Sequence, residues 1–304
     1  MHIDDFMITA VSESMLDHLL ADMNNAFGDV SVVRGRKHDY LGMVFDFTSD
    51  DCLRVSMHTP VGDILCCART GDDVASSPAS NNLFYIDSTS ILLSDEDREY
   101  FHSMVAKLLY LAKRVRPVIL LAISFLSTRL KCPTEQDMSK LDRVLKYLKG
   151  TKTLGLSMRG ETAVCVCAYI DASYAVHDDF KSHSGVIICL GAGTLLARGT
   201  KQKLNSKSST EAEMIAVSDG LNHVLWLRNF LEDQGYRMPP AKVFQDNMSA
   251  IRLFETGKCS SSSRTRHIAI RFYFVKDRID HGEIAVSIVG TNDMVADILT
   301  KPLQ

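Results

Sequence analysis

The sequence holds no Cys-x-x-Cys pair, no Cys/His grouping with zinc spacing and no apolar run long enough to cross a bilayer. Each absence removes a class of protein. Eight cysteines stand at 52, 66, 67, 132, 165, 167, 189 and 259, several of them inside apolar strand-like runs. Reduced, buried thiols in an intracellular protein are therefore expected, not a zinc module or a disulfide framework. Cys165 and Cys167 would share a strand face, where core packing outweighs metal binding. The most apolar run, Val118–Leu126, lies between Arg116 and Arg129 and is far shorter than a membrane span. With no signal-peptide pattern at the start, the expectation is a soluble chain with no membrane partner. A net charge of −3 gives no overall nucleic-acid signature. Internal repeats are missing too, and so is low complexity beyond the serines at 260–263.

What is present is a globular composition, with 46% hydrophobic and 23% charged residues in a chain of 304, long enough for two ordinary domains. Charge is unevenly spread. Residues 1–105 hold 6 basic against 18 acidic residues, 106–152 hold 11 against 3, and the remainder is nearly balanced. The basic block is either a phosphate-facing surface or a solvated helix face. The chain opens with Ile3-Asp4-Asp5-Phe6-Met7-Ile8, an acidic pair between apolar residues, as at a hairpin tip. A helix at 11–27 follows, with Ser12 or Ser14 as cap, and then paired strands at 40–47 and 53–57. Residues 60–92 show no sustained period and read as loop or linker. Ser94 starts a helix with acids in its first turn, Pro117 suits a second, and Thr134 caps a third that Gly150 stops.

From about 153 the pattern turns to strands. The order is three strands with a hairpin through Gly191-Ala192-Gly193, a helix after Ser209-Thr210, a strand ending at Asp246, two helices, a strand at 283–289 and a helix at 293–300. That is an α/β mixed sheet flanked by helices, antiparallel meander first. Its organising strand, Ala163–Asp171, is apolar on both faces and so reads as central, delivering Asp171 to its exit edge, where open α/β sheets bind ligands. Glu213, Asp246 and Asp297 occupy comparable settings. Each has a bland alternative: Asp171 closing a strand, Glu213 in a Thr210-x-x-Glu213 capping box, Asp246 as a helix N-cap, and Asp297 facing solvent. Taken together they suit Mg²⁺, a hard cation that takes oxygen ligands and keeps several waters, whereas carboxylates clustered without metal would repel.

These residues resemble the ribonuclease H domain of copia-type retrotransposon polyproteins. The matching words are Tyr169-Ile-Asp171-Ala-Ser, Ser206-Lys-Ser-Ser-Thr-Glu-Ala-Glu213-Met-Ile-Ala, Gln245-Asp246-Asn247-Met-Ser-Ala-Ile, Arg266-His267-Ile268 and Ala296-Asp297-Ile-Leu-Thr-Lys-Pro-Leu. The resemblance implies a ribonuclease H-like fold and cleavage of the RNA strand of RNA–DNA hybrids with two Mg²⁺ ions, for which Mn²⁺ could substitute. Asp171, Glu213, Asp246 and Asp297 take the four acidic places, with Glu211 as competitor for the second. His267 belongs to the copia word but lies well upstream of the last acid, and capping or packing at a helix start is its expected role. Lys201, Lys203 and Lys207 either touch phosphates or solubilise a loop.

Upstream, Ile3-Asp4-Asp5 resembles the Asp-Asp hairpin of a reverse-transcriptase palm, with Asp4 and Asp5 as the remnant of its metal site. Lys107-Leu-Leu-Tyr-Leu-Ala, Arg116-Pro117-Val118 and Tyr147-Leu-Lys-Gly-Thr resemble the thumb-to-connection helices. Where the family has Arg-Pro-Asp, this chain has Val118. The implied organisation is a partial palm and linker at 1–92, a helical thumb/connection region at 93–152 and a ribonuclease H-like domain at 153–304. Upstream palm and fingers in a parent polyprotein would be the further partner, polymerisation is not expected of this stretch alone, and a retrotransposon particle or the nucleus is the implied location. An integrase-type nuclease shares the expected fold, but its last acid is a helical Glu. A copy that binds nucleic acid without cutting is the remaining alternative.

Overall fold

The structure, a computed structural model, describes residues 5–160, 164–257 and 266–303. Asp4 and the serines at 260–263 lie outside the described residues. Asp5 is exposed, and residues 5–10 form no strand, so the expected hairpin tip is not seen there. The first helix, α1 (Glu13–Phe27), starts after Ser12 and buries none of its side chains.

A small antiparallel sheet follows, made of β1 (Lys37–Tyr40), β2 (Met43–Ser49) and β3 (Cys52–Ser56). The apolar run at 40–47 is not one strand. The chain reverses at Leu41-Gly42, both left-handed, with φ of 52° and 73°, so that Tyr40 pairs with Met43. A two-residue hairpin of this type demands positive φ at both central positions, and a period-two pattern runs straight through it. A fourth strand, β4 (Leu156–Met158), arrives from far downstream and pairs with β3.

The stretch at 60–92 is not all loop. Its first part lies in a helix, α2 (His58–Cys66), whose Val61 and Ile64 are buried. Pro60 falls in the first turn, where a missing N–H costs nothing. Three helices then build the first core. α3 (Asp95–Arg114) is capped by the Ser94 hydroxyl, which accepts from the Asp97 N–H. α4 (Leu120–Ser127) follows a short 3₁₀ turn at Pro117–Ile119. α5 (Glu135–Gly150) has a full capping box between Thr134 and Asp137.

Much of the basic block is committed inside the chain. Arg116 is 2% exposed and donates to the Thr151 carbonyl and hydroxyl at 2.8 and 2.6 Å. Lys146 and Lys149 pair with Asp73 and Asp72, and Arg129 pairs with the buried Asp137. These helices thus neutralise part of the acidic excess upstream of them. Cysteine burial also differs from expectation. All described cysteines are free, yet Cys66, Cys67 and Cys132 are exposed and the others half-buried.

The second sheet holds β5 (Val166–Ser173), β6 (His183–Leu190), β7 (Thr194–Lys201), β8 (Ala241–Gln245) and β9 (Ile284–Ile288) in the order β7-β6-β5-β8-β9. β5, β6 and β7 form the antiparallel meander, while β8 and β9 run parallel to β5. β5 is central, as its two apolar faces require. Val166, Ala168 and Ile170 pack beneath α6 (Ser209–Asp233), α7 (Met248–Thr256) and α8 (Arg266–Asp280). Ile187 on β6 and Leu299 join the core of α3, α4 and α5, with half-buried Tyr169, Cys189 and Ala197 packed against it. The Ser124 hydroxyl on α4 donates to the Gly199 carbonyl on β7 at 2.8 Å. The last expected helix is instead two 3₁₀ turns, Thr291–Asp293 and Val295–Leu299. Among the described residues no helix is long and apolar enough to cross a membrane.

Candidate metal centre

Three of the four expected acids meet where β5 and β8 end and α6 begins. Asp171, Glu213 and Asp246 each offer a carboxylate oxygen, and these atoms all lie within 4.8 Å of one another. Asp171 and Glu213 are buried and Asp246 is half-buried. The capping alternatives for two of them go to neighbours. The Ser208 hydroxyl caps α6 by accepting from the Glu211 N–H, and the Glu211 carboxylate accepts from the Lys207 N–H at 2.6 Å. Glu211 is therefore engaged in closing the helix start, while Glu213, half a turn on, points inward. At α7 the cap is Asn247, which accepts from the N–H groups of Ser249 and Ala250, so the Asp246 carboxylate is left over.

Gln245, the first residue of the Gln-Asp-Asn word, locks this corner. It is fully buried. Its amide donates to Glu213 Oε2 at 3.1 Å, and its Oε1 accepts from the backbone N–H of Asp246 and Asn247 at 2.8 and 3.0 Å. One neutral side chain thus orients two of the three acids. A polar residue at a strand's last inward position was the available signal.

Asp297 sits in the second 3₁₀ turn and is not within the three-acid group, but it is tied to it. The Thr300 hydroxyl donates to Asp171 Oδ2, and the Ser173 hydroxyl donates to the Thr300 carbonyl at 2.8 Å. Lys301 Nζ stands 2.8 Å from Asp297 Oδ1 and 3.7 Å from Asp171 Oδ2. Gly185, the partner of Asp171 across β5 and β6, makes room for this cover. A Cβ there would meet Thr300 Cγ2 at 2.8 Å, Leu299 Cβ at 2.9 Å and the Ala296 carbonyl at 3.0 Å.

The electrostatics are those of like charges held together away from water. Burial, and then the neighbouring Asp171, push the Glu213 carboxyl up to about 9, against the hydrogen bond from Gln245. Burial pushes Asp171 up to about 6, with Asp297 and Asp246 adding to the rise while Thr300 and Lys301 oppose it. Desolvation and like charge both favour the neutral acid. A divalent cation would reverse both effects, and the donor set suits one: two oxygens on a single Mg²⁺ lie at most about 4.2 Å apart, so little closure separates the observed group from an ion's inner shell.

The expected lysines lie at the end of β7 and on the loop into α6. Lys201 pairs with Asp179 at 2.8 Å, while Lys203 and Lys207 are exposed. His267 falls in the first turn of α8, and its side chain lies outside the described residues. Unforeseen in the sequence, His177 and His183 are buried together on the β5–β6 hairpin, Nε2 of the first 3.1 Å from Nδ1 of the second.

No protein-family model matches the chain. Among curated proteins it is 30% identical over 312 residues to the retrovirus-related Pol polyprotein from transposon RE1 of Arabidopsis thaliana, a match covering 100% of this chain and 20% of the relative. It is also 30% identical over 202 residues to the corresponding polyprotein of transposon TNT 1-94 of Nicotiana tabacum, covering 66% of this chain and 15% of the relative. The chain thus spans about a fifth or less of the length of these relatives. Among solved structures, a foamy viral protease-reverse transcriptase in complex with an RNA/DNA hybrid matches 94% of this chain and 34% of its own, at a TM-score of 0.54 and 10% identity. The fold is the ribonuclease H-like mixed sheet expected from the sequence, preceded by the small sheet and helices. With 100% of its length aligned at 30% identity to the RE1 polyprotein, the chain belongs to the family of retrovirus-related Pol polyproteins of copia-type transposons.

Proposed function

We propose that this chain is a metal-dependent endonuclease that hydrolyses the RNA strand of RNA–DNA hybrids, with Asp171, Glu213, Asp246 and Asp297 as its metal-binding acids. The observation that carries the reading is the convergence of three carboxylate oxygens within 4.8 Å at the exit of the central strand. The family and the fold support the same class of chemistry. A pair of bound Mg²⁺ ions would supply an activated water and charge neutralisation at the departing 3′ oxygen.

The chain's own residues do the rest. Asp171 is shared between the buried group and the Asp297 side. Gln245 holds Glu213 and the start of α7 in register, so the acids are oriented before any ion arrives. Glu211 is occupied at the helix cap, which favours Glu213 for the second acidic place. Lys203 and Lys207, on the loop leading into α6, are placed to meet backbone phosphates on the same edge. Selectivity for RNA would rest on contacts to the 2′-hydroxyl and on duplex shape.

The test is a labelled RNA–DNA hybrid incubated with the chain, with and without Mg²⁺. Cleavage of the RNA strand is expected with the ion, and Asp171→Asn and Asp246→Asn should each abolish it while the circular dichroism of the fold is retained. Undiminished cleavage by either variant would overturn the assignment. Binding of the hybrid by the wild-type chain without ion-stimulated cleavage would instead favour a nucleic-acid-binding copy that no longer cuts.

A further inference from the structure

Lys301 is the cation that the structure places between Asp171 and Asp297. It contacts both carboxylates, at 3.7 and 2.8 Å, and Asp246 also acts on its charge. The backbone around it is pinned. The Lys301 N–H donates to the Asp297 carbonyl at 2.8 Å, and Thr300 is bonded through its hydroxyl to Asp171 and through its carbonyl to Ser173. Only the lysine stem is left to move. Its side chain is 48% exposed, against 29% for Asp297 and 3% for Asp171, so the ammonium has an open route to water while the acids stay in place. A compact point charge on a flexible four-carbon stem suits such an exchange better than a planar guanidinium would.

We propose that Lys301 is a built-in counterion: it bridges Asp171 and Asp297 when metal is absent, and the second of two divalent ions binds only by displacing it. This rests on the metal centre proposed above and specifies how that centre fills. The charges set the order. Four ionised carboxylates carry −4, which two divalent ions match, whereas one divalent ion with the ammonium in place carries +3. The first ion can enter the Asp171–Glu213–Asp246 group with Lys301 still seated. The second needs the Asp297 side and must break two ion pairs, one of them with a nearly buried acid. Lys301 is thus a positioning residue: it keeps the two carboxylates apart and oriented until the ion takes over.

The test is a titration of the full chain with Mn²⁺, reading free ion by electron paramagnetic resonance in the absence of nucleic acid. Two binding phases are expected for the wild type. Lys301→Met keeps the stem and removes the charge. The weaker phase should then tighten by about three- to tenfold, the span given by losing one to two pairs at half-exposed strength, with a smaller change in the tighter phase. Lys301→Arg should keep the second phase weak. A second phase unchanged or weakened in Lys301→Met would overturn the proposal while leaving the metal centre standing, and would assign the lysine to phosphate contact if hybrid affinity fell instead. If the wild type bound no Mn²⁺, the metal centre and the counterion role would both fall.

Discussion

Replacing Glu213 with glutamine should make the metal-free chain more stable, not less. A carboxyl with an ordinary value of 4.5 held at about 9 in the folded chain keeps its proton across that window, while the unfolded chain has released it. The folded state therefore binds more protons, and stability falls as pH rises from 4.5 toward 9. At pH 7 the penalty is about 1.4 kcal/mol for each of roughly two and a half pH units, or about 3 kcal/mol. Glutamine removes the ionisation. It still accepts one hydrogen bond from Gln245 or Ala172, and leaving the other donor short offsets about 1 kcal/mol. The net gain of about 2 kcal/mol corresponds to roughly 4 °C in melting temperature for a chain of this size. The assay is thermal unfolding of both proteins in EDTA from pH 4.5 to 8, where the variant should be the less stable by up to about 1 kcal/mol at the acid end, draw level a little above pH 5 and gain steadily as pH rises. Saturating Mg²⁺ should reverse the ranking, since an ion at about a hundred times its dissociation constant adds about 2.7 kcal/mol to the protein that binds it. A variant no more stable than wild type at pH 7, with parallel pH profiles, would refute the reasoning, because Glu213 would then be ionised and solvated in the free chain.

Two other outcomes are expected. Gly185→Ala should cost about 1–3 kcal/mol in urea unfolding, since its methyl meets Leu299 and the Ala296 backbone at 3.0 Å or less, and lifting that turn should weaken Mg²⁺-dependent stabilisation in parallel. Burial holds His177 down at about 4 and His183 at about 3, each helped by a neighbouring positive or ionisable group, Lys201 for the first and His177 for the second. Their stabilising contribution is present above the ordinary 6.5 and is lost as pH falls toward 4, at about 1.4 kcal/mol per pH unit for each ring, so the stability of His183→Leu relative to wild type should rise by about that amount per unit as pH falls below 6.5, and a difference independent of pH would refute the assignment.

The sequence showed the strand ends and helix starts that carry the acids, because period-two and capping patterns are local. It left open whether Asp246 caps a helix or holds metal, whether Glu213 does the same, and whether Glu211 takes the second acidic place instead, since a carboxylate at a helix start satisfies the local capping rule either way. The capping hydrogen bonds go to Asn247 at α7 and to Ser208 at α6, with Glu211 accepting from the Lys207 N–H, while Glu213 is buried beside Gln245. Gln245 and Gly185 were illegible for a related reason. Their roles depend on what packs over them from 32 and more than 100 positions away. The α2 helix was hidden by Pro60 and Gly62, and the turn at Leu41-Gly42 by an uninterrupted apolar run. The last element had a helical pattern but only enough residues for 3₁₀ turns before Pro302.

Both faces of the carboxylate-bearing sheet contribute to a packed core. Its one face lies under α6 and α8, and Ile187 and Leu299 on the other belong to the core built by α3, α4 and α5. Trimming the polypeptide to the portion after residue 153 would uncover that greasy underside, together with the β7 edge that Ser124 holds. A shortened version should therefore clump or require detergent even with every acid intact. Such insolubility would say nothing against the chemistry, only that the upstream helices serve as its floor.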